Sequence, residues 1–408
     1  MPGKNLQRYD AHVDCFGPRP RGDANLIADV ERAGLRGHGG AAFPTATKLA
    51  AVARQRRRGY VVVNATEGEP MSAKDKTLCL TAPHLVLDGA AIAAEAVRAL
   101  EIVVCVDRSA QQLEHGLARA LHERAKLGVD TIPTRLEAAP DRYVAGEESA
   151  LVRWLNGFDA RPSFVPPRPF EKGIGNRPTL VQNAETLAHL ALIARYGAGW
   201  FRGLGTNDDP GSALVTLSGA VAHRGIFEIP LGLPLSDLVS AGGGSLDASE
   251  AVLIGGYFGT WIRAEQTHNI RLDSASLRAV GASFGCGVIV VLPRDRCGLV
   301  ESANVARWLA NENAGQCGPC VNGLPAIADA MQHLVAGDRD GRAEANVRRW
   351  LEMVKGRGAC KHPDGVARFV GSSLDAFAEE IRIHRHYRRC PHLPKRAILS
   401  TPAPGPWR

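Results

Sequence analysis

YVVVN (60–64), PHLVLDGAAIAAEAVRAL (83–100), IVVCV (102–106) and QQLEHGLARALHERAK (111–126) follow one another in the first third of the chain. The first and third are short β-branched runs of strand length. The second and fourth carry apolar residues at helical spacing. Strand-like and helix-like segments in strict alternation predict an α/β domain with a mostly parallel sheet.

That pattern stops at GTNDDPGS (205–212). SALVTLSGAVAHRGIFEIPLGLPLSDLV then reads as strand, turn, strand and short helix, a small α+β module. A third block has four helical stretches (299–312, 321–336, 343–355, 366–384), punctuated by cysteines and glycines, and reads as a small helical bundle. The expected organisation is therefore an α/β domain over 1–205, an α+β module over 206–280, a helical domain over 281–390 and a tail over 391–408.

With 408 residues, 45% of them hydrophobic, the chain can bury a substantial core. Lys and Arg exceed Asp and Glu by 49 − 42 = 7, and the pI is near 9.0. The excess sits in short clusters such as RQRRR (54–58) and HRHYRRC (384–390), with no aromatic-interleaved basic groove of the kind nucleic acid requires. The balance favours acidic partners, phosphate ligands and acidic electron carriers among them. MPGKNLQRYDAHVD has no apolar signal core, and the longest apolar run, GVIVVLP (287–293), is strand-length. Nine cysteines without a secretory signal fit a cytoplasmic protein, peripheral to any membrane complex and not inserted in it.

Three stretches carry candidate chemistry. GLRGHGGAAFPTATK (34–48) contains Gly37, Gly39 and Ala42 in a loose G-x-G-x-x-A, but LIADVERAGL before it is helical, so a dinucleotide fingerprint fails there. A bare loop still lets backbone N–H groups approach an anion or flat ring, with His38 and Lys48 adding charge and Phe43 a stacking face. NATEGEP (64–70) directly follows YVVVN, at a strand's C-terminal end where open α/β sheets bind ligands. YVAGEESAL (143–151) sets Glu147 and Glu148 before a helix, where they could equally complement its dipole.

Taken together with Lys74, Asp75, RPTLVQNAETL (177–187) and a later CGPC, in this order and spacing, these stretches resemble the NADH-binding flavoprotein subunit of respiratory complex I. They also resemble the related diaphorase subunits of soluble hydrogenases and formate dehydrogenases. The resemblance runs from about Asp23 to His384. It implies an FMN- and NAD(H)-binding α/β domain, a β-grasp module like the soluble-ligand-binding domain (carried by IFEIPLGLPLSDLV, 226–239), and a four-helix iron–sulfur bundle.

By that resemblance Gly37, Gly39, Gly40 and Lys48 serve the flavin and the dinucleotide phosphates, and Asn64, Glu67, Gln182 and Asn183 contact the flavin. Gly146 allows close approach, Glu148 lies near ribose, and Phe43 stacks on adenine. Tyr143 lines the pocket, and Glu69 and Glu147 stand as the carboxylates beside the reacting nicotinamide. Hydride transfer between stacked rings needs alignment more than acid or base.

The departures are specific. Thr66, Gly68 and Gln182 stand where the family has Asp, Ser and Asn. Ala51 and Arg168 stand where it has adenine-stacking aromatics, a loss worth about 0.5–1.5 kcal/mol each. Arg168 can offset it by stacking or by pairing with a phosphate, which makes NADPH use conceivable, though Glu148 disfavours a 2′-phosphate.

Cys317 and Cys320 form a CxxC, with Cys360 forty residues on. Alone this is equally a pair of buried thiols or part of a zinc site. In the family the block binds a [4Fe–4S] cluster through four cysteines, and the first of them is Ala314 here. A cluster with Asn313 or His362 as fourth ligand, a three-iron cluster, or none are the outcomes, a bound cluster being favoured. Cys297 and Cys390 lie outside the motif and read as structural. The expected function is NAD(P)H oxidation on FMN with single-electron export through the cluster to a partner protein such as a ferredoxin or a membrane reductase. The competing reading is a redox or scaffold subunit that has lost nucleotide oxidation or the cluster.

Overall fold

The computed structural model describes residues 7–23, 25–390, 392 and 396–408; the segment MPGKNL and tail residues 391 and 393–395 lie outside the described residues. Four parallel strands form the first sheet: β1 (Tyr60–Ala65), β2 (Glu101–Asp107), β3 (Thr134–Ala139) and β4 (Thr179–Asn183), in the order β3-β2-β1-β4. Val61, Val62 and Val63 are all fully buried, as a strand covered on both faces requires. Helices Pro83–Ala96 and Ala184–Phe201 pack together over one face, where Gly89 approaches the Leu187 backbone so closely that a Cβ would lie 1.9 Å from its carbonyl oxygen. Only glycine fits there.

Beneath these helices sits a charged knot. Asp88 accepts from Arg124 (2.7 Å), from Arg195 and from His12 (2.8 Å), tying four helices to one buried carboxylate. Burial alone would raise this carboxyl, but His12 and the two guanidinium groups outweigh it and hold Asp88 well below the usual carboxylate range.

The second sheet is mixed: β5 (Ser212–Gly219), β6 (Gly225–Pro230), β7 (Ser249–Ile254), β8 (Thr260–Arg263) and β9 (Val288–Pro293), ordered β6-β5-β9-β7-β8. β9 pairs parallel with β5 and antiparallel with β7, in the middle of the sheet. The α+β module expected to end at 280 therefore continues through Pro293, and this strand does not belong to the helical block. One face of the sheet packs on helix Leu235–Ala241; the other supplies Leu253, Trp261, Val290 and Leu292 to the core of the bundle.

The bundle itself corrects the four-helix expectation. The stretch 366–384 is divided at Phe377 into His362–Ala376 and Ala378–Tyr387, so the block holds five helices among the described residues, after Gly298–Asn311, Leu324–Val335 and Ala343–Val354. A further correction concerns the expected tail. Leu399 is buried in the bundle core, Glu301 accepts from the N–H of Ile398 and Leu399, and Trp308 Nε1 donates to the carbonyl of Pro402 (2.7 Å). Trp407 then lies between the guanidinium groups of Arg142 (4.2 Å) and Arg161 (5.1 Å), and its carbonyl accepts from Ala160 N–H. Residues 396–408 are a strap from the bundle back to the first domain.

Candidate functional site

The chain runs outward from β1 to β2 to β3 and then returns to place β4 on the opposite side of β1. This reversal opens a crevice at the C-terminal ends of β1 and β4, the position where open α/β sheets take ligands. Asn64 and Asn183 are partners in register there. Asn183 Oδ1 caps helix Ala184–Phe201 by accepting from Glu185 N and Thr186 N (3.0 and 3.3 Å), while its Nδ2 donates to Asp75 (2.8 Å). Asn64 Nδ2 donates to the Gly146 carbonyl (2.7 Å), and its oxygen accepts from Thr66 Oγ1 (2.6 Å). Both amides are thus fixed in rotation before any ligand arrives.

The glycine loop hangs over this pair. Helix Asn25–Ala33 ends at Gly34 (φ +75°), and the loop closes on itself through Gly37 N–H to Phe43 O (2.9 Å). His38 N–H donates to Thr186 Oγ1 (2.9 Å), which docks the loop on the helix that Asn183 caps. A Cβ on Gly39 would meet Asn183 Cβ at 3.3 Å, and Gly40 has φ +110°, which side-chain-bearing residues rarely adopt. The N–H groups of Gly39, Gly40 and Ala41 make no hydrogen bond among the described residues. Three successive unengaged donors on a bare loop are available to an anion.

Below lies a buried polar chain. Lys74 Nζ reaches Asp75 (3.0 Å) and Glu185 (2.8 Å), and His38 Nδ1 reaches the other oxygen of Glu185 (3.1 Å). Burial opposes the Lys74 ammonium, yet Asp75 and Glu185 outweigh it and raise its pKa. His38 and Lys74 therefore hold the floor of the site together. At the end of β4 the buried Gln182 Nε2 has no protein partner. An orphaned buried amide costs about 1–3 kcal/mol unless something accepts from it. Free loop amides, an orphaned side-chain donor and two fixed asparagines fit a flat, polar, phosphate-bearing cofactor such as FMN.

The carboxylates divide differently from expectation. Glu67, expected at the flavin, spends its oxygens on Ser72 Oγ and on the N–H of Asp75 and Lys76 (both 3.1 Å), so it caps helix Lys74–Thr81. Glu147, expected beside the nicotinamide, is the N-cap of helix Glu148–Leu155, accepting from Ser149 N (3.0 Å) and Ala150 N (3.1 Å). Glu148 pairs with Lys48 at 2.7 Å and with Arg168 at 3.9 Å, all three part-exposed at the mouth. Lys48 also stands 5.9 Å from the ring of Phe43, itself exposed. The close approach at Gly146 is to protein: a Cβ there would lie 2.4 Å from Thr66 Oγ1. Gly68 likewise abuts the Tyr143 carbonyl, which an added Cβ would approach to 2.8 Å.

Glu69 is buried where the first domain meets the second sheet. Tyr257 N–H (2.8 Å) and Tyr143 OH (3.1 Å) donate to its Oε2, and Gly256 passes so near that a Cβ would stand 2.6 Å from that oxygen. Burial pushes its carboxyl up to about 7 despite these bonds. Tyr143 packs edge-on against Phe258 (4.8 Å), Trp308 (5.2 Å) and His362 (6.0 Å), so the pocket wall leads directly into the bundle. The Gly256–Tyr257 turn and the Arg142–Trp407 stack carried no sequence signal. Neither did Phe164, 75% exposed beside Ser163, whose N–H donates to Ser149 Oγ (2.8 Å).

Cys317, Cys320 and Cys360 converge. Burial, with Cys317 and Cys360 adding to it, pushes the Cys320 thiol up to about 12. Cys320 lies in a π-turn, Pro319–Gly323, a backbone form frequent at functional sites. Three clustered thiols fit an iron–sulfur cluster; Ala314, the position expected to replace a fourth cysteine, is buried. Of the two expected substitute ligands, Asn313 is consumed by its own turn, accepting from Gly315 N (2.7 Å) and donating to Ala310 O. His362 binds Leu309 O through Nε2 (2.9 Å) and keeps an unpartnered, buried Nδ1.

Comparison with known proteins follows the same outline. The family model of the Nuo51 FMN-binding domain matches residues 30–192, and that of the NADH-ubiquinone oxidoreductase-F iron-sulfur binding region matches residues 301–384. The chain is 31% identical over 380 residues to the second F-type subunit of the NADH-quinone oxidoreductase of Rhizobium meliloti, covering 90% of each chain. It is 30% identical over 391 residues to the HndC subunit of the NADP-reducing hydrogenase of Solidesulfovibrio fructosivorans, covering 92% of this chain and 79% of that one. Among solved structures it superposes on an NAD+-reducing [NiFe]-hydrogenase in the H2-reduced state with a TM-score of 0.82 and 30% identity, over 90% of this chain. It spans 63% of that hydrogenase chain, less than two thirds.

Proposed function

The chain belongs to the family of F-type subunits of NADH-quinone oxidoreductase, and from that membership we propose that it oxidises NAD(P)H at FMN and delivers electrons singly to a partner protein. The observation that carries this reading is the register pair Asn64–Asn183 at the sheet's reversal point, roofed by a loop with three free N–H groups. Bound there, FMN would supply the conversion of a two-electron hydride into single electrons, and a cluster on Cys317, Cys320 and Cys360 their exit.

The chain's own residues bind, orient and exclude water. Gly37, Gly39 and Gly40 give the flavin and phosphates a surface without side chains, while Gln182 and Asn183 contribute from the strand end. Lys48 is the phosphate-facing cation, held by Glu148 until a nucleotide competes for it. Glu148 itself sets the preference between ribose hydroxyl and 2′-phosphate, with Arg168 beside it. Glu69, near pH 7 in its ionisation, can hold or release a proton at working pH, and Tyr143 OH fixes the oxygen concerned. Glu147 and Glu67 act one step back, by fixing the helices that present their neighbours.

The second sheet's order, with its first and last strands parallel at the centre, supports a β-grasp reading, and its buried contacts with both neighbours suit a structural joint. A cytoplasmic location and a protein electron acceptor complete the proposal. An absorbance spectrum of the purified protein, followed by anaerobic NADH and NADPH titration, tests it. Flavin bands that bleach with either nucleotide are expected. A chain without flavin, or one whose flavin neither nucleotide reduces, would instead establish the scaffold reading.

A further inference from the structure

We propose a second metal site, a zinc centre built from Cys297, His384 and Cys390, with the Glu380 carboxylate beside the Cys297 sulfur. The Sγ atoms of Cys297 and Cys390 and a ring nitrogen of His384 all lie within 4.8 Å of one another. A tetrahedral zinc with Zn–S of about 2.3 Å and Zn–N of about 2.0 Å separates its ligand atoms by roughly 3.5–3.8 Å. Cys297 Sγ and His384 Nε2 already stand 3.4 Å apart.

Counting protons shows what the cluster requires. His384 Nδ1 lies 3.0 Å from the Val335 carbonyl, so Nδ1 carries the proton and Nε2 presents a lone pair to Cys297. A backbone carbonyl orienting the far nitrogen of a histidine is the arrangement metal-binding imidazoles use. Glu380 Oε2 lies 2.9 Å from the same sulfur, and this carboxylate takes only backbone N–H groups otherwise, from Gly298 (3.1 Å) and Leu299 (2.9 Å). One S–H proton therefore faces two acceptors, with a second thiol beside them. A divalent cation that displaces the thiol protons takes both sulfurs and the imidazole as ligands and leaves the Glu380 carboxylate adjacent to it. Two sulfurs and an imidazole select zinc over magnesium or calcium.

The site's place in the chain gives it a role. Cys297 is the N-cap of the first bundle helix, Gly298–Asn311. Glu380 and His384 are one turn apart on the last helix, Ala378–Tyr387, and Cys390 follows beyond Arg388, whose φ of +58° ends that helix. Zinc here would pin the last helix and Cys390, just beyond its end, to the first helix. The other carboxylate–histidine group, His38, Glu185 and His189, already contains the Lys74 ammonium at 2.8 Å from Glu185 and needs no metal.

The test is metal analysis of the full chain purified under reducing conditions, with iron, zinc and flavin measured together. One zinc per chain is expected to survive dialysis against a mild chelator in the wild type, in C317S and in C360S. Cys390→Ser and His384→Gln should each lose it with flavin unchanged. Because His384 is buried and its replacement can unfold the bundle, cobalt substitution of the wild type and of C390S gives a second reading. Thiolate-to-cobalt charge-transfer bands should be strong in the former and reduced or gone in the latter. A zinc-free wild type, zinc lost in C317S or C360S but kept in C390S, or a Cys297–Cys390 disulfide found in the non-reduced peptide map would each overturn the proposal.

Discussion

Replacing Glu69 by Gln should change how stability depends on pH, and the structure sets the size of the effect. The buried carboxyl has its pKa raised from the ordinary 4.5 to about 7, first by burial. Below pH 4.5 the folded and unfolded chains both hold this proton, and the group contributes no pH-dependent penalty. As pH rises past 4.5 the unfolded chain releases it while the fold retains it, so stability falls until about pH 7 and then levels off. At about 1.4 kcal/mol per pH unit the whole penalty is about 3 kcal/mol, of which roughly 2–3 kcal/mol accrues between pH 5 and pH 8. The amide in E69Q keeps an oxygen for Tyr257 N–H and has nothing to ionise. Urea unfolding of flavin-loaded wild type and variant, at pH 5 and pH 8, isolates the effect, because the pH-independent cost of the amide cancels between the two conditions. The variant should gain about 2–3 kcal/mol on the wild type in going from pH 5 to pH 8. An unchanged difference at the two pH values would refute the claim that Glu69 is a buried, proton-retaining carboxyl.

Gly40→Val should abolish flavin retention while the circular dichroism of the chain is preserved, since a β-branched residue rarely adopts φ +110° and the loop's N–H groups would be turned from their present directions; stoichiometric FMN in the variant would show the loop is no cradle. Glu148→Ala frees Lys48 and removes an acceptor for ribose, so kcat/KM should fall for NADH and rise for NADPH, with tenfold corresponding to about 1.4 kcal/mol. Asp88→Asn leaves Arg124 and Arg195 facing each other without their shared anion, at a cost of about 3–5 kcal/mol that calorimetry would read as a lowered Tm. Cys360→Ser should reduce iron and sulfide content and leave flavin in place, as measured by chemical analysis after anaerobic reconstitution.

Particular residues show why sequence carried some of this and lost the rest. YVVVN and IVVCV announced β1 and β2 because strands buried on both faces are apolar throughout. TRLEAA gave no such signal: β3 is an edge strand, half-buried along most of its length, and tolerates polar residues. TLVQN (β4) was noticed for its asparagine and not as a strand. GVIVVLP was legible as a strand, but its sheet depended on pairing with β5 and β7, both distant along the chain, which no local pattern encodes. The break at Phe377 is invisible because the helical period continues through it. Glu147 and Glu148 before a helix were ambiguous from the start, and packing makes Glu147 the cap; Glu67 carried no sequence sign of the cap it forms on helix Lys74–Thr81. The final TPAPGPW reads as a polar, proline-rich tail, because a strap bound by backbone carbonyls and one tryptophan needs no hydrophobic period.

That strap bears on the order in which the molecule is made. Arg142 holds the Gly405 carbonyl, the Asn311 carbonyl and Glu312, and stacks on Trp407, while its neighbour Tyr143 forms the wall of the crevice. These partners leave the ribosome more than a hundred and fifty, and in the case of Trp407 more than two hundred and fifty, residues after Arg142. Domains fold as they emerge, first domain first. The nascent α/β domain thus completes its sheet and glycine loop while one wall of its crevice is still unbuttressed, and the wall is set only when the bundle and the strap arrive. Synthesis itself gives the cofactor a period of open access before the doorway takes its final form.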